Sequence, residues 1–365
     1  MSSLDLMINL GLKATRRLQA AHKPFVRLMR RSARAQEHRA FRDDADAIDR
    51  QIADLAAGSL PIVVGPWLAE VGYEVLYWIP FLRWFQDAYG VRRERFVVVS
   101  RGGMEAAYGE LAGTYVDLFD LITPEVLAAR NAERRTDIES GGQKQSGMSA
   151  LDGELVAAAR TRAGLEDAVV LHPSFMFKLF RNVWYGNLPL DVLWRHTRYT
   201  TQALAPEQKD VPAGIAIPDE FIAVKLYAGP ALTASPATRD AARALVAGAA
   251  KVAPVVLLDA DLAIDEHRDF DLERLPGVMS ARPLMAARTN LAVQMAIISR
   301  ARFFMGTCGG LAWLAPFMGI PTVALYDADR LIAPHLFVAR HAGAQAGAAD
   351  FTALDVRALA RLQLS

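Results

Sequence analysis

Arg302-Phe-Phe-Met-Gly-Thr-Cys-Gly-Gly-Leu-Ala-Trp-Leu-Ala-Pro-Phe-Met-Gly-Ile-Pro-Thr-Val-Ala-Leu-Tyr326 is the stretch whose reading decides the fold. Phe303–Met305 is a short apolar run and reads as a buried strand. Gly306–Gly310 is a glycine-rich turn, Gly310–Met318 reads as helix, and Gly319-Ile-Pro321 stops it before a second strand, Thr322–Leu325. Strand, helix and strand in that order give parallel pairing. Where a parallel strand ends in such a turn, the next helix exposes main-chain N–H groups with nothing to bond. With the helix dipole they attract phosphate, and glycine lets a diphosphate come close. Thr307 adds a hydroxyl. Glycine turns of this kind also serve close packing with no ligand. The turn is neither G-x-G-x-x-G nor a Walker A loop.

The same alternation extends on both sides. Upstream, Phe221–Leu226 and Val255–Asp259 read as strands, and Thr238–Val252 and Asn290–Arg300 as helices. The proline-bearing stretch Pro206–Pro218 reads as a linker. Before it, Leu60–Val64, Phe96–Ser100, Tyr115–Asp120 and Ala168–Leu171 read as strands, and Ala150–Ala163 as helix. Val71–Tyr89 has helical spacing, with Pro80 requiring a kink. Residues 137–149 are polar and glycine-rich and read as a mobile loop. The aromatic and basic run 175–184 fits no single pattern. The resulting division is a helical arm over 1–57, α/β domains over 58–212 and 213–345, and a closing helix over 346–365.

The 365 residues carry a formal net charge of +1, so no global field favours nucleic acid. Cys308 is the one cysteine, which excludes an internal disulfide and a multi-cysteine zinc site. No secretory signal and no membrane-spanning run is legible. The expected location is the cytoplasm, with possible attachment to the inner membrane face. That attachment rests on residues 1–42, where ten basic residues face two acidic ones after an apolar start. Such an arm suits an anionic membrane surface or a solvated helix.

The run from Asn290 to Tyr326 resembles the donor half of GT-B glycosyltransferases, the heptosyltransferase-like group in particular. The resemblance covers about forty residues well. It departs at Cys308, where an acidic residue is common, and at Trp313, where histidine is common. It implies two Rossmann-like domains facing a central cleft, with the first domain binding the acceptor and the second a nucleotide-sugar. It implies no cofactor and no metal, the nucleotide-sugar being the substrate. Thr307, Gly309, Gly310 and Leu311 fall on positions that contact the nucleotide diphosphate. Lys225 falls where a basic residue meets the phosphates, and Tyr227, just beyond it on the same strand, is a further donor-binding candidate. Arg282 and Arg288 are further cations for that role. A glycan or a lipid-linked acceptor follows from what such families do.

Transfer with inversion needs a base for the acceptor hydroxyl. Glu70 and Glu74 follow the first strand and are four residues apart, so one helical face would bring them together. Both carboxylates also read as ordinary early-helix acids. Trp67, Gly72 and His172 belong to the same strand ends and are the acceptor-side candidates. Asp259, Asp261, Asp265, Glu266 and His267 form an acidic cluster that suits sugar hydroxyls or solvent, and metal less well. His335 and His341 read as structural. Cys308 sits where a thiolate would be stabilised, but no histidine lies near it in sequence. An epimerase of the same architecture and a non-catalytic scaffold are the competing functions.

Overall fold

A computed structural model of the chain describes residues 39–139, 145–260, 262, 267–327 and 329–362. Residues 39–57 form the first described helix, α1. The rest of the expected basic arm, residues 1–38, lies outside the described residues. Ile48, Ile52 and Ala56 of α1 enter the core. Arg95 closes the helix end by donating to the carbonyls of Leu55, Ala56 and Leu60, which satisfies acceptors a helix terminus leaves open.

The first lobe holds β1 (Ile62–Val64), β2 (Phe96–Ser100), β3 (Thr114–Asp117) and β4 (Val169–Leu171). All pair in parallel in the order β3-β2-β1-β4. Its helices are α2 (Val71–Tyr73), α3 (Ile79–Tyr89), α4 (Glu105–Tyr108), α5 (Pro124–Glu139), α6 (Ala150–Arg162), α7 (Ser174–Trp184) and α8 (Asp191–Arg195). The second lobe has β5 (Ile222–Lys225), β7 (Val255–Leu257), β9 (Val278–Ser280), β10 (Phe303–Thr307), β11 (Thr322–Tyr326) and β12 (Phe351–Asp355). These six are also parallel, in the order β12-β11-β10-β5-β7-β9. Its helices are α9 (Pro236–Ala250), α10 (Asn290–Arg300), α11 (Gly310–Phe317), α12 (Asp329–Ala346) and α13 (Val356–Leu362). A small antiparallel pair, β6 (Tyr227–Ala228) with β8 (Arg268–Asp269), hangs beyond β5.

Each sheet starts in its middle and grows outward in both directions, the doubly wound order of Rossmann-like domains. The strand order reverses between β5 and β10 in the second lobe and between β1 and β4 in the first. Ligands of such sheets bind beyond the carboxyl ends of the strands at that reversal. Two expectations change. Residues 346–365 do not form only a helix: Phe351–Asp355 is the sheet's edge strand, and helix follows it. The expected loop 137–149 begins inside α5, and of its remainder residues 145–149 are described.

Pro80 is accommodated by a π turn, Glu74–Trp78, between α2 and α3. Ile79 N–H bonds the carbonyl of Glu74, five residues back. Pro80 has no N–H for the carbonyl of Leu76, four residues back. Tyr199 Oη donates to that carbonyl instead, at 2.8 Å. The helix therefore stays continuous from Val71 to Tyr89, and Glu74, Tyr77 and Trp78 are turned into the core. One apolar cluster runs from Trp67, Trp78 and Phe81 to Phe304, Leu311 and Trp313, so the two lobes share a core.

Candidate active site

The reversal point of the second sheet lies between Lys225 and Thr307, and the Gly309–Gly310 turn follows it. Gly309 has φ 126° and Gly310 φ 39°, a backbone that side chains with a Cβ rarely adopt. Cys308 N–H bonds the carbonyl of Leu325. Among the described residues, no hydrogen bond uses the next three amides, those of Gly309, Gly310 and Leu311. Both glycines keep part of their surface exposed. The Leu311 side chain is core, so its contribution to a ligand is its main-chain amide.

Thr307 does not aim its hydroxyl at this space. Its Oγ1 accepts from Tyr227 N–H at 3.0 Å and donates to the Tyr227 carbonyl at 2.9 Å. The effect is to hang Tyr227 beside the turn. A methyl group built on Gly309 would lie 3.4 Å from Tyr227 Oη, and one on Gly310 3.6 Å. The tyrosine ring lies on His267, centroids 4.2 Å apart. Lys225 Nζ is held by both oxygens of Asp269, at 2.8 and 3.0 Å. It thus ties β5 to β8 and is not directed at a phosphate. Arg282 is engaged by Asp259 at 2.6 Å and by Glu273, at the ends of β7 and β9. Arg288 reaches across to Asp120 of the first lobe.

Opposite the turn stands the loop after β1. Glu70 is the N-cap of α2 in an extended conformation, and its side chain is half-buried. Glu74 is a different kind of residue. It is 0 % exposed, and Oε1 accepts from Ser100 Oγ at 2.5 Å and Tyr108 Oη at 2.6 Å. Burial first, and then the Glu74 charge, push the Tyr108 phenol well above its usual range. Glu74 belongs to the packing behind the site. The expected pairing of Glu70 with Glu74 gives way to one carboxylate at the front and one in the core.

Trp67 is also core, stacked between Trp78 and Phe177 with both centroids at 5.9 Å. His172 is 2 % exposed. Its Nδ1 accepts from Ser174 N–H, and Nε2 lies 3.4 Å from Asp152 Oδ1. Burial pushes the Asp152 carboxyl up, but the neighbouring His172 imidazole and the hydrogen bonds from Ser149 outweigh it and hold it at about 2. Gln145 bridges Asp152 to the carbonyl of Pro66 and the amide of Leu68. His172 therefore supports the loop from beneath. Burial pushes the Cys308 thiol up to about 12, which removes it as a nucleophile. Asp261, Asp265 and Glu266 lie outside the described residues, and no metal-binding group of side chains exists among the described ones.

Gly72 meets the Gly309–Gly310 turn directly. A methyl group built on it would lie 2.8 Å from Gly310 N and 3.3 Å from the Trp313 indole. Two further joints were not legible in the sequence. Gly102 carbonyl accepts from Leu291 and Ala292 N–H and so caps α10 from the other lobe. Arg101, 3 % exposed, donates from Nη2 to the Ala69 carbonyl at 3.3 Å, beneath Glu70. Two doubly wound lobes thus meet with their strand ends facing.

The chain is similar in fold to heptosyltransferase-type GT-B glycosyltransferases. Against the glycosyl transferase family 9 structure from Veillonella parvula, identity is 14 % over 84 % of this chain and 88 % of that one, with a TM-score of 0.43. Against the Escherichia coli heptosyltransferase WaaC with ADP, identity is 12 % over 84 % and 99 %, with a TM-score of 0.44. A putative UDP-N-acetylglucosamine 2-epimerase from Listeria monocytogenes gives 13 % over 84 % and 87 %, with a TM-score of 0.36. No protein-family model matches the sequence, and no curated protein matches it. At such identities and TM-scores the likeness says nothing of the chemistry, which has to be argued from the site.

Proposed function

We propose that this chain is a glycosyltransferase that moves a sugar from a nucleoside-diphosphate sugar to an acceptor hydroxyl. The observation that carries the reading is the row of amides at Gly309, Gly310 and Leu311, at the sheet's reversal point and next to Gly72 in the loop of the other lobe that carries Glu70. The amides and the α11 dipole stabilise the negative charge that grows on the departing diphosphate. Tyr227 Oη, beside the same turn, adds a hydroxyl donor. Glu70 takes the acceptor proton as the new glycosidic bond forms and the bond to the diphosphate breaks. Glu74, Trp67, His172, Thr307 and Lys225 hold these groups in place without touching substrate. The acceptor is a glycan or a lipid-linked saccharide, in keeping with the basic segment of residues 1–42. No described helix is long and apolar enough to cross a membrane.

The test is binding of ADP, UDP, GDP and CMP followed by thermal shift. A ligand at a hundred times its Kd stabilises the folded state by about 2.7 kcal/mol. One of the three diphosphates should raise the Tm of the wild type, and Gly309→Ala should abolish the rise. No shift with any of them would leave a non-catalytic scaffold as the better reading.

A further inference from the structure

The lobes are joined by two tyrosines of one and a histidine of the other. Tyr77 Oη lies 2.5 Å from His335 Nδ1, and Tyr73 Oη 3.3 Å from Nε2. Tyr73 and Tyr77 share one face of the helix that follows β1, whereas His335 belongs to α12. The imidazole sits edge-on to the rings of Tyr73, Tyr77 and Trp184, with centroids at 5.2, 5.6 and 6.0 Å. Burial, opposed by the Glu70 charge, lowers the imidazole to about 4, so it is neutral under ordinary conditions. A neutral imidazole has one N–H and one lone pair, which two hydroxyls complete.

This joint is next to the proposed base. Tyr73 N–H bonds the Glu70 carbonyl at 3.1 Å. Burial first, and then the Glu70 charge, raise the Tyr73 phenol, and the same charge opposes the lowering of His335. Other cross-lobe contacts, Gly102 on α10 and Arg288 on Asp120, fasten the ends of β2 and β3. The Tyr–His–Tyr group fastens the segment that carries Glu70.

We infer that Tyr73, His335 and Tyr77 form a clamp that holds the lobes closed, and that His335, supplied by the donor lobe, is a positioning residue for Glu70 in the acceptor lobe. The clamp follows from cross-lobe contacts alone; its consequence for transfer rests on the glycosyltransferase reading. Donor binding in one lobe and base placement in the other are then coupled through this joint.

The experiment measures the distance between spin labels on Ala157→Cys in α6 and Ala244→Cys in α9, both exposed sites on opposite lobes. Cys308 is buried with its thiol pushed up to about 12, so it leaves the label to the two introduced cysteines. The full-length protein should give one narrow distance distribution without nucleotide. His335→Leu leaves the buried Tyr77 hydroxyl and the half-buried Tyr73 hydroxyl without their partner and should shift the open-to-closed ratio by about tenfold, seen as a longer, broader distribution. His335→Gln keeps a donor and an acceptor and should restore the narrow one. Circular dichroism confirms that each variant is folded. An unchanged distribution in folded His335→Leu overturns the clamp. So does equal broadening in the Gln and Leu variants. For the positioning role, the readout is hydrolysis of the nucleotide-sugar whose diphosphate raises the Tm. His335→Leu should lower kcat with donor KM unchanged, and His335→Gln should recover it; a fall in affinity alone overturns the role. Failure of every nucleotide to bind sinks the glycosyltransferase reading and leaves the distance result standing.

Discussion

Gly72 of the first lobe lies against the amide nitrogen of Gly310 in the second, so close that a single added methyl group would sit 2.8 Å away. This contact sets how near the loop after β1 comes to the proposed phosphate site. Gly72→Ala forces backbone against backbone, which side-chain motion cannot relieve. The expected cost is about 1–3 kcal/mol of stability, read as a lower Tm. The affinity for a nucleoside diphosphate should change along with it, because the amide displaced is one that would hold the phosphate. A variant with wild-type Tm and wild-type affinity would mean that the contact is slack.

The two acidic residues of the same loop are expected to separate cleanly. Glu70→Gln should leave the Tm nearly unchanged, since the residue is half-buried and its side chain caps no amide of α2. Its transfer rate should fall by roughly 10²–10⁴, the usual contribution of a positioned base. Glu74→Ala removes the acceptor shared by Ser100 and Tyr108 inside the core. Unfolding measurements should show a loss of about 1–3 kcal/mol for the unsatisfied hydroxyls, with more from the cavity. Nucleotide binding by the fraction that folds should persist. Loss of stability in the Glu70 variant, or a neutral Glu74 variant, would reverse the two roles.

The β10–α11–β11 unit was legible because buried parallel strands read as short apolar runs, and a glycine turn marks where each gives way to helix. β9, three half-buried residues, carries too little pattern to be distinguished from loop. α7 interleaves Lys178 and Arg181 with its aromatics along the sequence, and in the structure those two cations are exposed while Met176, Phe177, Phe180 and Val183 turn inward. The site was less legible than the fold for a physical reason. Lys225 and Arg282 read as free cations at strand ends, but what they do is decided by Asp269 and Asp259, 44 and 23 residues away in sequence. His335 meets Tyr77 across a separation of 258 residues, and no local spacing announces that.

His335 should also leave a mark on the pH dependence of stability. Its imidazole is lowered from 6.5 to about 4 in the folded chain, chiefly by burial. Below pH 6.5 the unfolded chain takes up a proton that the folded chain refuses. The stabilisation is therefore complete above 6.5 and is lost as the pH falls toward 4. That interval corresponds to about 3 kcal/mol. Asp152, held at about 2 against a usual 3.8, contributes a constant amount throughout that interval and begins to lose it only below 3.8. The Tm of His335→Gln, which has nothing to titrate there, should fall less than that of the wild type between pH 6.5 and 4. Parallel curves would show that the imidazole is not enclosed.

The π turn offers the sharpest test of how the sequence builds the site. Leu76 carbonyl has lost its ordinary helical donor to Pro80 and takes a hydrogen bond from Tyr199 Oη at 2.8 Å. Tyr199→Phe leaves that carbonyl without its donor and should cost about 1–3 kcal/mol. Pro80→Ala supplies an N–H that can reach Leu76 in α register, so the hydroxyl becomes redundant. In the double variant the Tyr199→Phe penalty should shrink, giving a coupling energy of about 0.5–3 kcal/mol in a double-mutant cycle. Strict additivity would mean that Tyr199 does not substitute for the missing donor. Because the turn directs Glu74 and Tyr77 inward while leaving Glu70 at the front, the Pro80→Ala variant should also weaken the Tyr77–His335 joint if the α register is regained.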